Sequence, residues 1–334
     1  MSAVKEPEPI VILMSSEAIT KLSADVERVL APRPFRLVAP GDPQARHARI
    51  AFVSRDVTGL STKHRILAPT QRMYDALAAA ERLEWVHVHS AGADRAAYVD
   101  LLRRGVLLTT SSGANASVVA QTAVLGVLYF ARHWPQLARA RQARRWAPLI
   151  ETGLPRDLQG QTAVAVGWGP VGQEIGRLLR ALGLELIVVR RQRAEDQPGV
   201  KMVTHAQLPQ VLPRADWLLL ACPLTQETRA LIGRPELASL PAHCTLVNVS
   251  RGEVVDEAAL VEALRSNALA GAYLDVFATE PLPADSPLWS LPNVVATPHS
   301  AGFSDGNEAR VSRMFLDNLG RWLRNEPLVN RASL

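Results

Sequence analysis

The chain has 334 residues, 48% of them hydrophobic and 21% charged, with a formal net charge of +5 and two cysteines. That length suits about two domains, and the near-zero mean hydropathy reads as a soluble globular protein. The composition argues against a membrane protein, a secreted disulfide scaffold and a nucleic-acid binder. No apolar run approaches the ~20 residues of a membrane span, and the arginines are scattered along helical faces rather than gathered in a basic stripe.

The elements follow in chain order. The short run "IVILM" near the N-terminus reads as a buried strand, since a signal peptide needs a longer apolar stretch and a small-residue cleavage site. Strand candidates in the first third are "PIVILM", "FRLVA", "RIAFVS", "LEWVHVHS" and "GVLLTTS", with "EAITKLSADVERVL" and "QRMYDALAAAE" as helices between them. A long apolar helix follows, "NASVVAQTAVLGVLYFARHW", with Pro135 marking its end or a kink. A second series begins near Thr162 with "TAVAVG", "LELIVV", "DWLLLACP", "CTLVNVS", "GAYLDVF" and "NVVATPH". Helical "GQEIGRLLRALG" and "DEAALVEALRS" lie among these strands, and "NEARVSRMFLDNLGRWLRN" comes last. The strands are mostly apolar rather than alternating, as parallel strands buried on both faces are. Strand and helix repeated in this way indicate an α/β fold with two doubly wound parallel-sheet domains. Cys222 and Cys244 sit in apolar strand contexts and read as buried thiols in a reducing, cytoplasmic setting. No group of residues has metal-ligand spacing.

"TAVAVGWGPVGQEIGRLLRALGLELIVVR" runs strand, glycine turn, helix, strand, with Gly167, Gly169 and Gly172 as a G-x-G-x-x-G. Gly167 permits the tight turn, Gly169 admits a pyrophosphate to the backbone, and Gly172 lets the helix pack close to the strand. The helix N-terminus offers amides to the phosphates. About 20 positions on, a dinucleotide site normally has an acid for the adenosine ribose. This chain has Arg190, followed by Arg191 and Arg193. A guanidinium grips a 2′-phosphate where an acid repels it, so the expected cofactor is NADP, with NAD the alternative. The competing reading is three arginines solvating a strand end.

Three more strands end in polar or titratable residues: Arg251 in "VNVSRGEVVDEAAL", Glu280 in "LDVFATEPL" and His299 in "TPHSAG". Ligands of open α/β sheets lie outside the carboxyl ends of the strands. With "SAGAD" and "ACPLTQETRALIG", these segments resemble the D-2-hydroxyacid dehydrogenase family over nearly the whole chain, in particular its glyoxylate/hydroxypyruvate reductase-like, NADP-type branch. The resemblance implies two Rossmann-like domains with a cleft between them. It places the terminal helix with the first, so that residues 1–112 and 300–334 form a discontinuous substrate domain and 113–299 bind the dinucleotide.

The resemblance also implies roles. His299 donates a proton, Glu280 orients it, and Arg251 binds the carboxylate and carbonyl of a 2-keto acid. Backbone amides of Ser90, Ala91 and Gly92 supply a second carboxylate contact. Asp275 holds the nicotinamide amide, and Cys222 and Pro223 line the ring, with Cys222 as packing rather than nucleophile. Pro170, Val171, Thr228 and Val249 are further cofactor contacts. A homodimer built through the long helix is implied as well, although Gln121 stands where the family usually has Glu. Trp146 stands where some hydroxypyruvate reductases reach a neighbouring subunit, with ordinary core packing the competing reading. Two rivals remain: NAD-linked oxidation of a D-2-hydroxy acid such as 3-phosphoglycerate, and a coenzyme-sensing, corepressor-like binding protein.

Overall fold

The computed structural model describes residues 8–151, 153–192 and 194–333. The chain divides into two compact units, Met1–Ala114 with Ser304–Leu334, and Asn115–Phe303. No helix among the described residues is long and apolar enough to cross a membrane.

The first unit holds five parallel strands: β1 (Ile10–Leu13), β2 (Phe35–Val38), β3 (Ile50–Val53), β4 (Trp85–Val88) and β5 (Leu107–Thr110), in the order β2-β1-β3-β4-β5. β1, β3 and β4 are buried at every residue, which explains their mainly apolar sequences; His87 in β4 is the exception, its ring nitrogens bonded to the Thr109 and Ser111 hydroxyls. The Ser16–Leu30 helix starts where the Ser15 hydroxyl accepts from the Ala18 amide, and it buries Ala18, Leu22, Val26 and Leu30 at four-residue spacing. The Asn307–Leu323 helix buries Val311, Phe315 and Leu319 in the same way. Phe315 stacks on Phe52 of β3 (ring centroids 4.6 Å apart) and on Trp85 of β4 (5.6 Å). This aromatic stack ties the end of the chain to the first sheet.

The second unit holds seven parallel strands: β6 (Thr162–Val166), β7 (Glu185–Arg190), β8 (Val200–Thr204), β9 (Trp217–Leu220), β10 (Thr245–Asn248), β11 (Gly271–Leu274) and β12 (Val294–Ala296). Their order is β12-β11-β10-β9-β6-β7-β8. The chain builds outward from β6 to β8, then returns to lay β9 on the other side of β6. That reversal is where open α/β sheets bind ligands.

Two sequence expectations need correction. β8 is absent from the strand pattern read above, because "VKMVT" carries the exposed Lys201 and lies on the sheet edge; pairing with β7 from Leu186–Val200 to Arg190–Thr204 makes it a strand. The long helix also ends earlier, as Ala116–Ala131. His133 takes a left-handed φ of 52°, and a new helix, Trp134–Gln142, follows. Pro135 lies in the first turn of that helix, where its missing N–H costs nothing, so it opens a helix rather than ending one.

Phe315→Ala empties the stack on Phe52 and Trp85. The expected loss is about 3–5 kcal/mol of stability in the first unit, read from urea unfolding followed by tryptophan fluorescence. A loss under ~1 kcal/mol would mean that the terminal helix is held by something else.

Candidate active site

The turn after β6 is built by contacts that leave no room for side chains. Gly167 has φ 104°, and a Cβ there would lie 2.7 Å from the Ala221 carbonyl and the Cys222 amide. The loops leaving β6 and β9, the two strands at the reversal, therefore touch backbone to backbone. A Cβ on Gly172 would overlap the Gly167 carbonyl oxygen, so Gly172 closes the helix onto the turn itself. A second close approach of helix to strand falls at Gly176, where a Cβ would meet Leu186 of β7 and the Trp168 ring, each at 2.7 Å. Gly176 escapes sequence reasoning because it lies outside the three-glycine pattern. Gly169 faces open space, and a Cβ on it would meet no heavy atom within 4 Å. Gly169 also begins the Pro170–Ala181 helix without any side-chain cap. Open backbone at an uncapped helix start fits an anionic dinucleotide.

Arg190 is the half-buried last residue of β7. Arg191 is exposed, its Nε 3.2 Å from Glu227 Oε2. Arg193 lies outside the described residues. Beyond β9, Cys222 is buried, and burial pushes its thiol up to about 11, which suits packing rather than nucleophilic chemistry. Thr228 is buried too, its hydroxyl donating to the Pro223 carbonyl at 2.7 Å and accepting from the Thr225 amide at 2.8 Å. In the structure Thr228 shapes its loop. Val249 is half-buried after β10, its amide donating to the Leu220 carbonyl.

The strand ends of β10, β11 and β12 carry the titratable group. Asn248 accepts from the Ser250 amide and hydroxyl and donates to the Arg251 carbonyl, which sets the turn bearing Arg251. A Cβ on Gly252 would overlap the Phe277 carbonyl and the Ala278 amide, so this turn lies against the one leading to Glu280. Glu280 is 7% exposed; its Oε1 accepts from the Phe277 amide and its Oε2 lies 2.8 Å from His299 Nδ1. Burial pushes the Glu280 carboxyl up. The hydrogen bond and charge of His299, the Phe277 amide and the Arg251 charge outweigh it, leaving the carboxyl below its ordinary value. The His299 side chain is 48% exposed.

His299 itself has a left-handed φ of 50°. Its amide donates to the carbonyls of Asp275 (2.8 Å) and Thr297 (2.9 Å). The Asp275 carboxylate accepts from the Thr297 hydroxyl (2.7 Å) and the amides of Ser300 (2.8 Å) and Ala301 (2.9 Å). Burial raises the Asp275 carboxyl above its ordinary value despite these bonds. Asp275 thus organises the turn that carries His299, a role the sequence did not reveal. In the first unit, Ser90, Ala91 and Gly92 follow β4, with the Ser90 hydroxyl donating to the Gly92 carbonyl at 2.7 Å.

Residues 124–301 match the family model described as D-isomer specific 2-hydroxyacid dehydrogenase, NAD binding domain. A glyoxylate reductase from Korarchaeum cryptofilum is 33% identical over 74% of this chain and 75% of its own length. The chain belongs to the D-isomer specific 2-hydroxyacid dehydrogenase family. A glyoxylate/hydroxypyruvate reductase B from Pectobacterium carotovorum is 34% identical over 84% of this chain and 88% of its own. Among solved structures, a D-isomer specific 2-hydroxyacid dehydrogenase from Xanthobacter autotrophicus Py2, in complex with NADPH and MES, superposes with a TM-score of 0.78. It is 28% identical, over 98% of both chains.

In this family member the depressed Glu280 carboxyl has a thermodynamic consequence. The pair with His299 contributes stability above the unfolded carboxylate value of about 4.3 and loses it as pH falls through the lower folded value. Glu280→Gln removes that dependence. The drop in Tm of the second unit between neutral pH and pH ~3.5 is expected to shrink in the variant, by calorimetry; an equal drop in both proteins would uncouple Glu280 from acid stability.

Proposed function

We propose that the chain reduces a small 2-keto acid, of the class of glyoxylate or hydroxypyruvate, to the D-2-hydroxy acid, with NADPH preferred and NADH the alternative. One observation carries this reading: a buried, ionised Glu280 holds Nδ1 of His299 at 2.8 Å while half of the imidazole is exposed. That arrangement lets the free side of the ring give a proton to a developing alkoxide and leaves the resulting charge balance to Glu280. The names of the glyoxylate and glyoxylate/hydroxypyruvate reductases support the substrate class.

Gly167, Gly169, Pro170, Val171 and Gly172 would hold the pyrophosphate, and Arg190, Arg191 and Arg193 the 2′-phosphate. Cys222, Pro223, Thr228, Val249 and Asp275 would border the rest of the coenzyme. The bound nicotinamide supplies a hydride. Arg251 pairs with the substrate carboxylate and steadies the carbonyl oxygen; His299 protonates that oxygen. Ser90, Ala91 and Gly92 are assigned to the substrate carboxylate on the family resemblance. Residues 1–112 with 300–334 then serve the substrate, and 113–299 the dinucleotide. A homodimer is supported by one stretch of sequence in which Trp146, Ile150 and Leu154 are 93%, 77% and 72% exposed, apolar surface that a second copy would cover. Exposed Trp146 sets aside its core-packing reading. Two free buried cysteines suit the cytoplasm.

His299→Ala is expected to bind coenzyme normally but lose kcat by roughly 10²–10⁴-fold, measured with glyoxylate and hydroxypyruvate. Turnover close to wild type would remove His299 from the chemistry, and a wild type without turnover would favour the coenzyme-sensing alternative. Arg190→Asp is expected to cut kcat/KM for NADPH by about one to two orders of magnitude, the worth of a charge-assisted contact, while sparing NADH. An unchanged coenzyme ratio would return Arg190 to a solvated strand end.

A further inference from the structure

The acid missing from the end of β7 has a counterpart on another loop. Glu227 comes from the segment after β9, and its Oε2 lies 3.2 Å from Arg191 Nε. The loop that delivers it is stiff on its own account. The amides of Thr225 and Thr228 each donate to the other's hydroxyl (2.8 and 3.2 Å), and the Thr228 hydroxyl donates to the Pro223 carbonyl. Glu227 is thus carried on a loop whose backbone is held by its own hydrogen bonds. Segments leaving β7 and β9 on the carboxyl side of one sheet therefore meet at this pair.

We propose that Glu227 sets how strongly the chain discriminates in favour of a 2′-phosphorylated coenzyme, restraining Arg191 before the phosphate arrives and opposing the phosphate once bound. The inference rests on the reading of Arg190 and Arg191 as a 2′-phosphate site. A guanidinium paired with a carboxylate is neutral as a unit, so a 2′-phosphate dianion gains less from it than from a bare cation. A ribose 2′-hydroxyl is a donor, and Glu227 is an acceptor of the kind that dinucleotide sites place there. Arg191 and Glu227 together thus make a site that both coenzymes can enter, with the phosphorylated one ahead by less than the arginines alone would give. Both side chains are more than half exposed (73% and 54%), so the effect is modest and screened by salt.

The test is calorimetric binding of 2′,5′-ADP and of 5′-AMP to wild type, Glu227→Gln and Arg191→Gln, at low and high salt, with kcat/KM for NADPH and NADH measured alongside. Glu227→Gln is expected to tighten 2′,5′-ADP by about threefold to tenfold at low salt, with 5′-AMP unchanged or slightly weaker, and the gain to shrink at high salt. The NADPH-to-NADH ratio of kcat/KM rises with it. Unchanged or weaker 2′,5′-ADP binding in Glu227→Gln, while Arg191→Gln weakens it, overturns the role of Glu227 alone. If Arg191→Gln leaves the preference for 2′,5′-ADP over 5′-AMP intact, the phosphate reading of Arg191 falls and this inference falls with it.

Discussion

The second unit depends on one close contact, the backbone of Gly167 lying against the carbonyl of Ala221 and the amide of Cys222. β6 and β9 are neighbours in the sheet, yet the segments that follow them must diverge, one into a helix and the other into the loop bearing Thr225 and Thr228. They part at the reversal of strand order. A side chain at 167 would force the loops apart, and its φ of 104° is one that L-residues rarely adopt. Gly172 repeats the constraint one turn later by closing the helix onto Gly167. Gly169, between these two contacts, faces open space.

The other half of the site is organised by buried carboxylates. A left-handed backbone at a non-glycine residue costs about 1–3 kcal/mol, and His299 bears this cost while projecting a half-exposed imidazole. Two hydrogen bonds from its own amide and three to the Asp275 carboxylate hold the turn in that state. Glu280 then fixes the ring through Nδ1. Each acid is desolvated, which opposes ionisation, but each responds differently. Glu280 gains enough from His299, the Phe277 amide and Arg251 to end below its ordinary value, whereas Asp275, bonded mainly to a hydroxyl and amides, ends above it. Glu280, which bonds the ring itself, is the acid placed to steady an imidazolium.

The first unit is organised by apolar contacts instead. Its sheet is buried on both sides at β1, β3 and β4, and the final helix covers part of it through Phe315. A residue more than 200 positions from Trp85 and Phe52 thus completes their packing.

Taken alone, the sequence determined the α/β class, the parallel strands, the three-glycine turn, the pair of arginines at 190 and 191, and the order of Arg251, Glu280 and His299. These are local signals: a strand buried on both faces is mostly apolar, and a tight turn must carry glycine wherever a Cβ has no room. Tertiary structure decided the rest. β8 exists because β7 offers it an edge, and nothing in "VKMVT" separates a strand from a loop. Pro135 begins a helix because His133 breaks the one before it. Gly176 matters only because Leu186 and Trp168 press against it. Asp275 reaches the turn of His299, and Glu227 reaches Arg191, across 24 and 36 positions of chain. Such partners meet through the order of strands in the sheet, and strand order is set by packing between distant segments, which no local pattern of residues encodes.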